Sequence, residues 1–290
     1  MGRSLAFLGP SGTFTEEAAR SLPIAKGFTF QPYANIIDVL EAVLQRKNDI
    51  GVVPIENSIE GTVNLTLDWL IHGEELPVLA EIALPITQHL LVSSKKEKFD
   101  IQDIQKVLSH PHAIAQCRLY LKEVLPNVQI EYTNSTAEAA KLVSEHPEEP
   151  WAAVGTRLNT EIYPLQMASE SIQDYSNNVT RFFLVGIKPL ELPSSDAHKT
   201  TILVTLPEDY SGALYQVLAA FAWRKINLTR IESRPTKKAL GSYHFVLDLV
   251  NKLDDVLMPG AFAEIEALGC QVRVLGSYPV YSYRPIDEKN

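Results

Sequence analysis

Cysteine is nearly absent from this 290-residue chain. The two present, Cys117 and Cys270, lie far apart and match no metal-ligand or CxxC spacing, which leaves them as small buried or half-buried side chains. Positive charge is also short: 26 Lys and Arg against 35 Asp and Glu give a formal charge of −9, which removes the reason to expect a nucleic-acid or anionic-membrane partner. An anionic substrate is still open, because it feels the local field of a cleft. No apolar run approaches membrane-spanning length, and MGRSLAFLG has neither a long apolar h-region nor a small-residue cleavage pattern. The expected location is the cytoplasm, with no membrane partner.

What is present is ordinary for a globular protein: 46% hydrophobic and 21% charged residues, enough for a core divided between two or three lobes. SLAFLG reads as a strand followed by the turn GPSG, with Thr13 as a helix cap and Glu16 completing a capping box. Such a strand–turn–helix unit offers backbone N–H groups to a carboxylate or phosphate, or is simply a satisfied turn. There is neither GxGxxG nor a Walker lysine to decide between the two. ANIIDVLEAVLQRKND is an amphipathic helix with Asn35 as cap. IGVVPIE is a buried strand ending at Glu56, with Asn57, Ser58 and Thr62 just beyond it. Open α/β sheets bind ligands at such strand ends, although turn chemistry uses the same residue types.

The grammar repeats. KVLS leads into SHPHAIAQC, where His110 and His112 could meet an anion or cap and pack a helix. VQIEYTN leads to Ser135 as cap, with Thr136 opening the helix and Glu138 at its third position. The recurrence points to a small-anion cleft more firmly than any one instance. In SNNVTRFFLVG, Thr180 and Arg181 precede the apolar strand residues Phe182 to Val185. A cation there needs a partner. Two readings fit: a small-anion site, or an arginine paired with a carboxylate or reaching to water.

After Gly186 the Pro- and Ser-containing IKPLELPSSDAHK marks a boundary. Beyond it the pattern is strand, helix, two strands, helix, strand, with TKKALG as the hairpin between the middle strands and SYRPIDEKN as a loosely held tail. This is the split βαβ, ferredoxin-like arrangement. It carries no nucleophile–base pair and no metal set, which favours a binding, regulatory or assembly role.

GPSGTF at 9–14, VPIENSIEGTV at 53–63, SHPHAIAQC at 109–117, NSTAEAA at 134–140 and NVTRF at 178–182 together resemble the prephenate dehydratase family, in that family's order. GAL at 212–214, INLTRIESRP at 226–235 and YHFVLD at 243–248 resemble the phenylalanine-binding signatures of an ACT domain. The resemblance covers nearly the whole chain. It implies an α/β catalytic domain of the two-lobed type II periplasmic-binding-protein class over 1–187, with lobe 1 about 1–79 and 161–187 and lobe 2 about 80–160. A linker at 188–199 and an ACT regulatory domain at 200–280 would follow. No chorismate mutase domain is present, so the match is to the monofunctional bacterial type. Many members carry Gln where this chain has His112.

The implied reaction turns prephenate into phenylpyruvate, water and carbon dioxide in L-phenylalanine biosynthesis. Aromatisation supplies much of the driving force, so no cofactor, metal or covalent nucleophile is required. Arg181 would hold the side-chain carboxylate bidentately. Thr180 would polarise or protonate the leaving hydroxyl, and Phe182 would pack the ring or fix Arg181. Arg181→Ala is then expected mainly to raise KM and Thr180→Ala mainly to lower kcat. Asn57, Ser58, Thr62, Ser11, Gly12 and Thr13 would line one side of the cleft, Ser135 and Thr136 the other, with Glu56 positioning Arg181. Phenylalanine would bind at Gly212, Ala213, Leu214, Asn227, Leu228, Glu232, Ser233, Arg234 and Pro235, in a homodimer or homotetramer. An arogenate dehydratase and a non-catalytic small-anion or amino-acid binding protein are the alternatives.

Overall fold

The computed structural model describes residues 3–95, 100–208, 210–237, 242–253 and 256–283. In chain order the elements are β1 (Arg3–Leu8), α1 (Phe14–Arg20), β2 (Phe28–Tyr33), α2 (Ile36–Leu44), β3 (Ile50–Asn57), β4 (Gly61–Thr62), α3 (Asn64–His72), β5 (Val78–Pro85) and β6 (His89–Ser93). Then come β7 (Lys106–Ser109), α4 (Pro111–Gln116), α5 (Arg118–Val124), β8 (Gln129–Tyr132), α6 (Thr136–Glu145), β9 (Trp151–Gly155), α7 (Leu158–Ile162), β10 (Leu165–Ser169) and β11 (Val179–Val185). The last stretch holds β12 (Ala197–Thr205), α8 (Ala213–Ala222), β13 (Leu228–Pro235), β14 (Tyr243–Leu249), α9 (Leu257–Ala267) and β15 (Gln271–Ser282).

The strands form two sheets. One runs β13-β14-β12-β15-β5-β11-β3-β1-β2 with β4 appended to β3, and the other runs β10-β6-β9-β7-β8. β1 pairs parallel with β2 and β3, while β11 runs antiparallel between β3 and β5. Leu5, Ala6 and Phe7 are fully buried because both faces of β1 are covered. Ile36, Val39, Leu40 and Val43 of α2 pack on one side, and Ala18 and Ala19 of α1 on the other. Alternation carries this through β11, with Phe182 and Leu184 in the α1 core and Phe183 and Val185 in the α2 core.

The helix starts follow their local chemistry. Thr13, Asn35 and Ser135 each accept from the N–H three residues on, from Glu16, Asp38 and Glu138. Glu16 and Glu138 reach back to the N–H groups of Gly12 and Asn134, both at 2.7 Å.

Two expectations need correction. β5 lies in the first sheet, paired on both edges, and β10 pairs antiparallel with β6 in the second. The lobes therefore meet at 86–88 and 170–178, not near 80 and 160. The linker is shorter than expected, since β12 already begins at Ala197. The expected tail from 284 on and four residues of the expected hairpin lie outside the described residues; Tyr283, the tail's second residue, donates to Glu17 at 2.9 Å.

The C-terminal module has the predicted βαββαβ order, with sheet order β13-β14-β12-β15. One face packs Ile202, Val204, Leu247 and Leu249 under α8 and α9. The other does not face water. Leu203, Val246, Leu275 and Tyr278 join the α2 and α3 core of the first lobe, and β15 pairs parallel with β5. Arg273 adds a C-terminal cap to α3 through the carbonyls of Leu70 and Ile71, both at 2.8 Å.

Candidate active site

Between the two sheets lies a cavity of about 470 Å³. The first lobe presents Thr13, Asn57, Glu60, Thr180 and Phe182 to it, and the second Gln88, His110, His112, Gln116, Ser135 and Thr136. Among the described lining residues there is no lysine or arginine. The donors are amides, hydroxyls, imidazoles and the N-terminal turn of α6.

Asn57 sets the geometry of the first lobe's wall. Its Oδ1 accepts from the N–H groups of Ile59 and Glu60 at 2.9 and 3.0 Å, which fixes which end of the amide is which. Its Nδ2 then donates to Thr180 Oγ1 and Asn178 Oδ1, both at 2.8 Å. With one lone pair taken by Asn57, the Thr180 hydroxyl keeps its own hydrogen for a group in the cleft. Ser135 is similar, because its Oγ accepts from Glu138 N–H at 3.0 Å and its proton is left to donate.

The mouth of the cleft is bridged by a side-chain hydrogen bond. His112 Nδ1 lies 2.6 Å from Glu60 Oε1, one residue from each lobe, and the rings of His110 and His112 are 5.0 Å apart. His110 caps α4 by accepting from His112 N–H at 3.3 Å. Burial, then the charge of His112, push the His110 pKa down, against the opposing pull of Glu60. At the base the lobes interlock: Gly12 O accepts from Thr156 Oγ1 at 3.0 Å, and both Thr156 and Asn159 are fully buried. Gly12 has φ +93, and a Cβ there would sit 2.2 Å from Asn159 Oδ1.

Arg181 is not a cleft residue, which corrects the expected carboxylate anchor. Alternation along β11 sends Thr180 and Phe182 to the cleft side and Arg181 to the back. There it meets Glu56 at 2.5 Å and Glu81 and Asp248 at 2.6 Å. Burial alone would lower its pKa; the hydrogen bond to Glu81 and the charges of Asp248 and Glu81 more than offset this and raise it. Asp248 also accepts from Thr201 at 2.7 Å, and Lys199 reaches Glu81 at 2.7 Å. Glu56 does position Arg181, though away from the cleft.

Other expected residues divide likewise. Thr62 turns to the C-terminal module, donating to Glu232 at 2.6 Å and accepting from Arg230 at 3.1 Å. Ser58 braces the chain, donating to Asn177 O and accepting from Val179 N–H. Ser11 and Gly12 lie outside the described cavity lining, behind Thr13. In the C-terminal module Gly212, at φ +91, opens α8 ahead of Ala213 and Leu214. Asn227 leads into β13, which Leu228 opens and where Glu232 and Arg234 face the first lobe through Thr62, Asn64 and Asp68. Ser233 and Pro235 face outward. The residues expected to hold phenylalanine are thus divided between the start of α8 and both faces of β13. Gln88, Glu60 and Gln116 were missed, because nothing in ITQHLL, SIEG or AIAQC sets those side chains apart from packing or turn residues.

The prephenate dehydratase family model matches residues 5–189. The chain belongs to the prephenate dehydratase family. It is an enzyme of the lyase class. It is 45% identical over 283 residues to prephenate dehydratase of Bacillus subtilis (strain 168), covering 96% of this chain and 99% of that one. Among solved structures, prephenate dehydratase in complex with L-Phe from Arthrobacter aurescens is 40% identical with a TM-score of 0.84, covering 95% of this chain and 89% of that one. GqqA, described as a novel type of quorum quenching acylase, is 26% identical with a TM-score of 0.83, covering 96% and 98%.

Proposed function

We propose that the enzyme converts prephenate to phenylpyruvate in L-phenylalanine biosynthesis. The observation that carries this reading is the Thr180 hydroxyl, held by Asn57 as a donor into a cleft lined by neutral donors. The carbon–oxygen bond to the ring hydroxyl breaks with its electron pair on oxygen. The ring carboxylate leaves as carbon dioxide, and the carbon–carbon pair it releases completes the aromatic ring. One proton is consumed, since the dianion gives a monoanion, water and carbon dioxide. Thr180 orients the departing oxygen, and the proton enters through the His110 and His112 imidazoles, which line the cleft. The Ser135 hydroxyl and the first turn of α6 hold the pyruvyl carboxylate. Because no lysine or arginine among the described lining residues grips the ring carboxylate, it is free to leave.

The C-terminal module is an ACT regulatory domain that binds phenylalanine and lowers turnover. Its βαββαβ topology and the L-Phe complex of the Arthrobacter aurescens relative support this. The left-handed Gly212 gives close backbone access at the start of α8. The outward face of β13 makes homodimers or homotetramers. The reaction takes place in the cytoplasm; among the described residues no helix is long and apolar enough to cross a membrane.

A spectrophotometric assay with prephenate and arogenate in parallel, watched for aromatic product, tests the reading. Turnover of prephenate with little of arogenate is expected, slowed by added phenylalanine. Turnover of arogenate alone, or of neither, would overturn it.

A further inference from the structure

Gln88 sits where the chain crosses into the second lobe, in the wall of the cleft, and is only 2% exposed. Its main chain is held on both sides: the N–H donates to Gln173 Oε1 at 3.0 Å and the carbonyl accepts from Ile172 N–H at 2.9 Å. Its side chain is not so well served. Nε2 makes one long contact, 3.3 Å to Gln116 Oε1, and Oε1 has no hydrogen-bond partner among the described residues. A buried amide oxygen left unpaired costs about 1–3 kcal/mol, so it calls for a reason. Whichever way the two amides are turned, their single contact leaves polar atoms of Gln88 unused in the wall of the cleft; as they stand, with Nε2 toward Gln116, the unused atom is the acceptor Oε1.

An unused acceptor beside unused donors does not suit a carboxylate, which wants donors only. It suits a group that both donates and accepts. In prephenate the group of that kind is the ring hydroxyl. We infer that Gln88, backed by Gln116, accepts the hydrogen of the departing hydroxyl from the second lobe while Thr180 donates to its oxygen from the first. The inference rests on the prephenate reading above. As the carbon–oxygen bond lengthens and the oxygen takes up its second proton, its hydrogens become more acidic. The hydrogen bond to Gln88 Oε1 therefore strengthens in the transition state, which directs the effect to kcat.

The test uses Gln88→Met in the full chain, close in shape but without the amide. With prephenate, kcat/KM falls about tenfold to a hundredfold, mostly in kcat. Phenylpyruvate retains the pyruvyl carboxylate but has no ring hydroxyl, and as product inhibitor it binds variant and parent equally, within about twofold. Gln88→Asn, which withdraws the amide by one methylene, falls between them and decides the matter if the Met variant does not fold. Parental kcat/KM in the folded variant overturns the inference. So does an equal loss of phenylpyruvate binding, which would make Gln88 a support for the whole cleft. A parent enzyme inactive on prephenate would instead sink the underlying reading.

Discussion

The two faces of β11 solve opposite problems with adjacent residues. On the cleft face Thr180 is held by a neutral amide, in a wall whose described residues include no lysine or arginine. On the back face Arg181 is enclosed by three carboxylates, one of them, Asp248, from the C-terminal module. The contrast teaches where this protein can tolerate full charge. Ions are fixed where nothing needs to change, at the seam between domains. Dipoles are kept where a charge must form and disappear.

The largest break of that contrast is Arg181→Met. Removing the cation leaves Glu81 and Asp248, exposed by 1% and 0%, without their central partner and costs about 3–5 kcal/mol. Denaturant melts should report the loss, while KM for prephenate in the folded protein stays within about threefold. A raised KM at unchanged stability would return Arg181 to the substrate. Thr180→Val does the reverse, lowering kcat by about 10²–10³ with stability changed by less than about 1 kcal/mol. A steady-state kcat within about threefold of the parent would remove Thr180 from the chemistry.

His89 carries the same contrast into the second lobe as a buried neutral group, accepting from Ser171 N–H at 3.3 Å. Burial, and after it the charge of Arg157, lower its pKa from 6.5 to about 4. The unfolded chain thus binds the proton more readily. Stability is fully present above pH 6.5 and is lost as pH falls toward 4, by about 2–3 kcal/mol. His89→Asn keeps an acceptor without the titration, so urea midpoints at pH 7.5 and 4.5 should differ less for it than for the parent; equal differences would acquit His89. The smallest effect is expected from Glu60→Gln. Its pair with His112 is exposed at both ends, so a stability change under about 1 kcal/mol is expected by thermal melting. A larger loss would mean that this pair holds the lobes together.

Local features were legible in the sequence. The caps Thr13, Asn35 and Ser135 depend on side chains within three residues of one another, and all form as read. The βαββαβ order and the strands before and after Arg181 were also legible, since hydrophobic period and turn residues are local signals. Direction was not. Period two says that Thr180 and Arg181 point opposite ways, but which way is the cleft depends on packing against β3, β5 and β14. The carboxylates around Arg181 come from positions 56, 81 and 248, and no spacing rule joins them. Thr62 was drawn toward the cleft by its neighbours Asn57 and Ser58, yet β4 turns it to Glu232. Gln88 is one polar residue in the apolar stretch ITQHLL, and only its unpaired oxygen sets it apart.

Because β15 hydrogen-bonds along β5, the C-terminal module is not a detachable cassette. A chain cut after residue 187 would lose the neighbour of Val78–Pro85 and bare a hydrophobic strand edge, an invitation to sticky self-assembly. It would also strip the cover from the back of Arg181. Domain shuffling in evolution, or truncation at the bench, would therefore have to rebuild that edge with charges, a proline or a covering loop before the catalytic half could live alone.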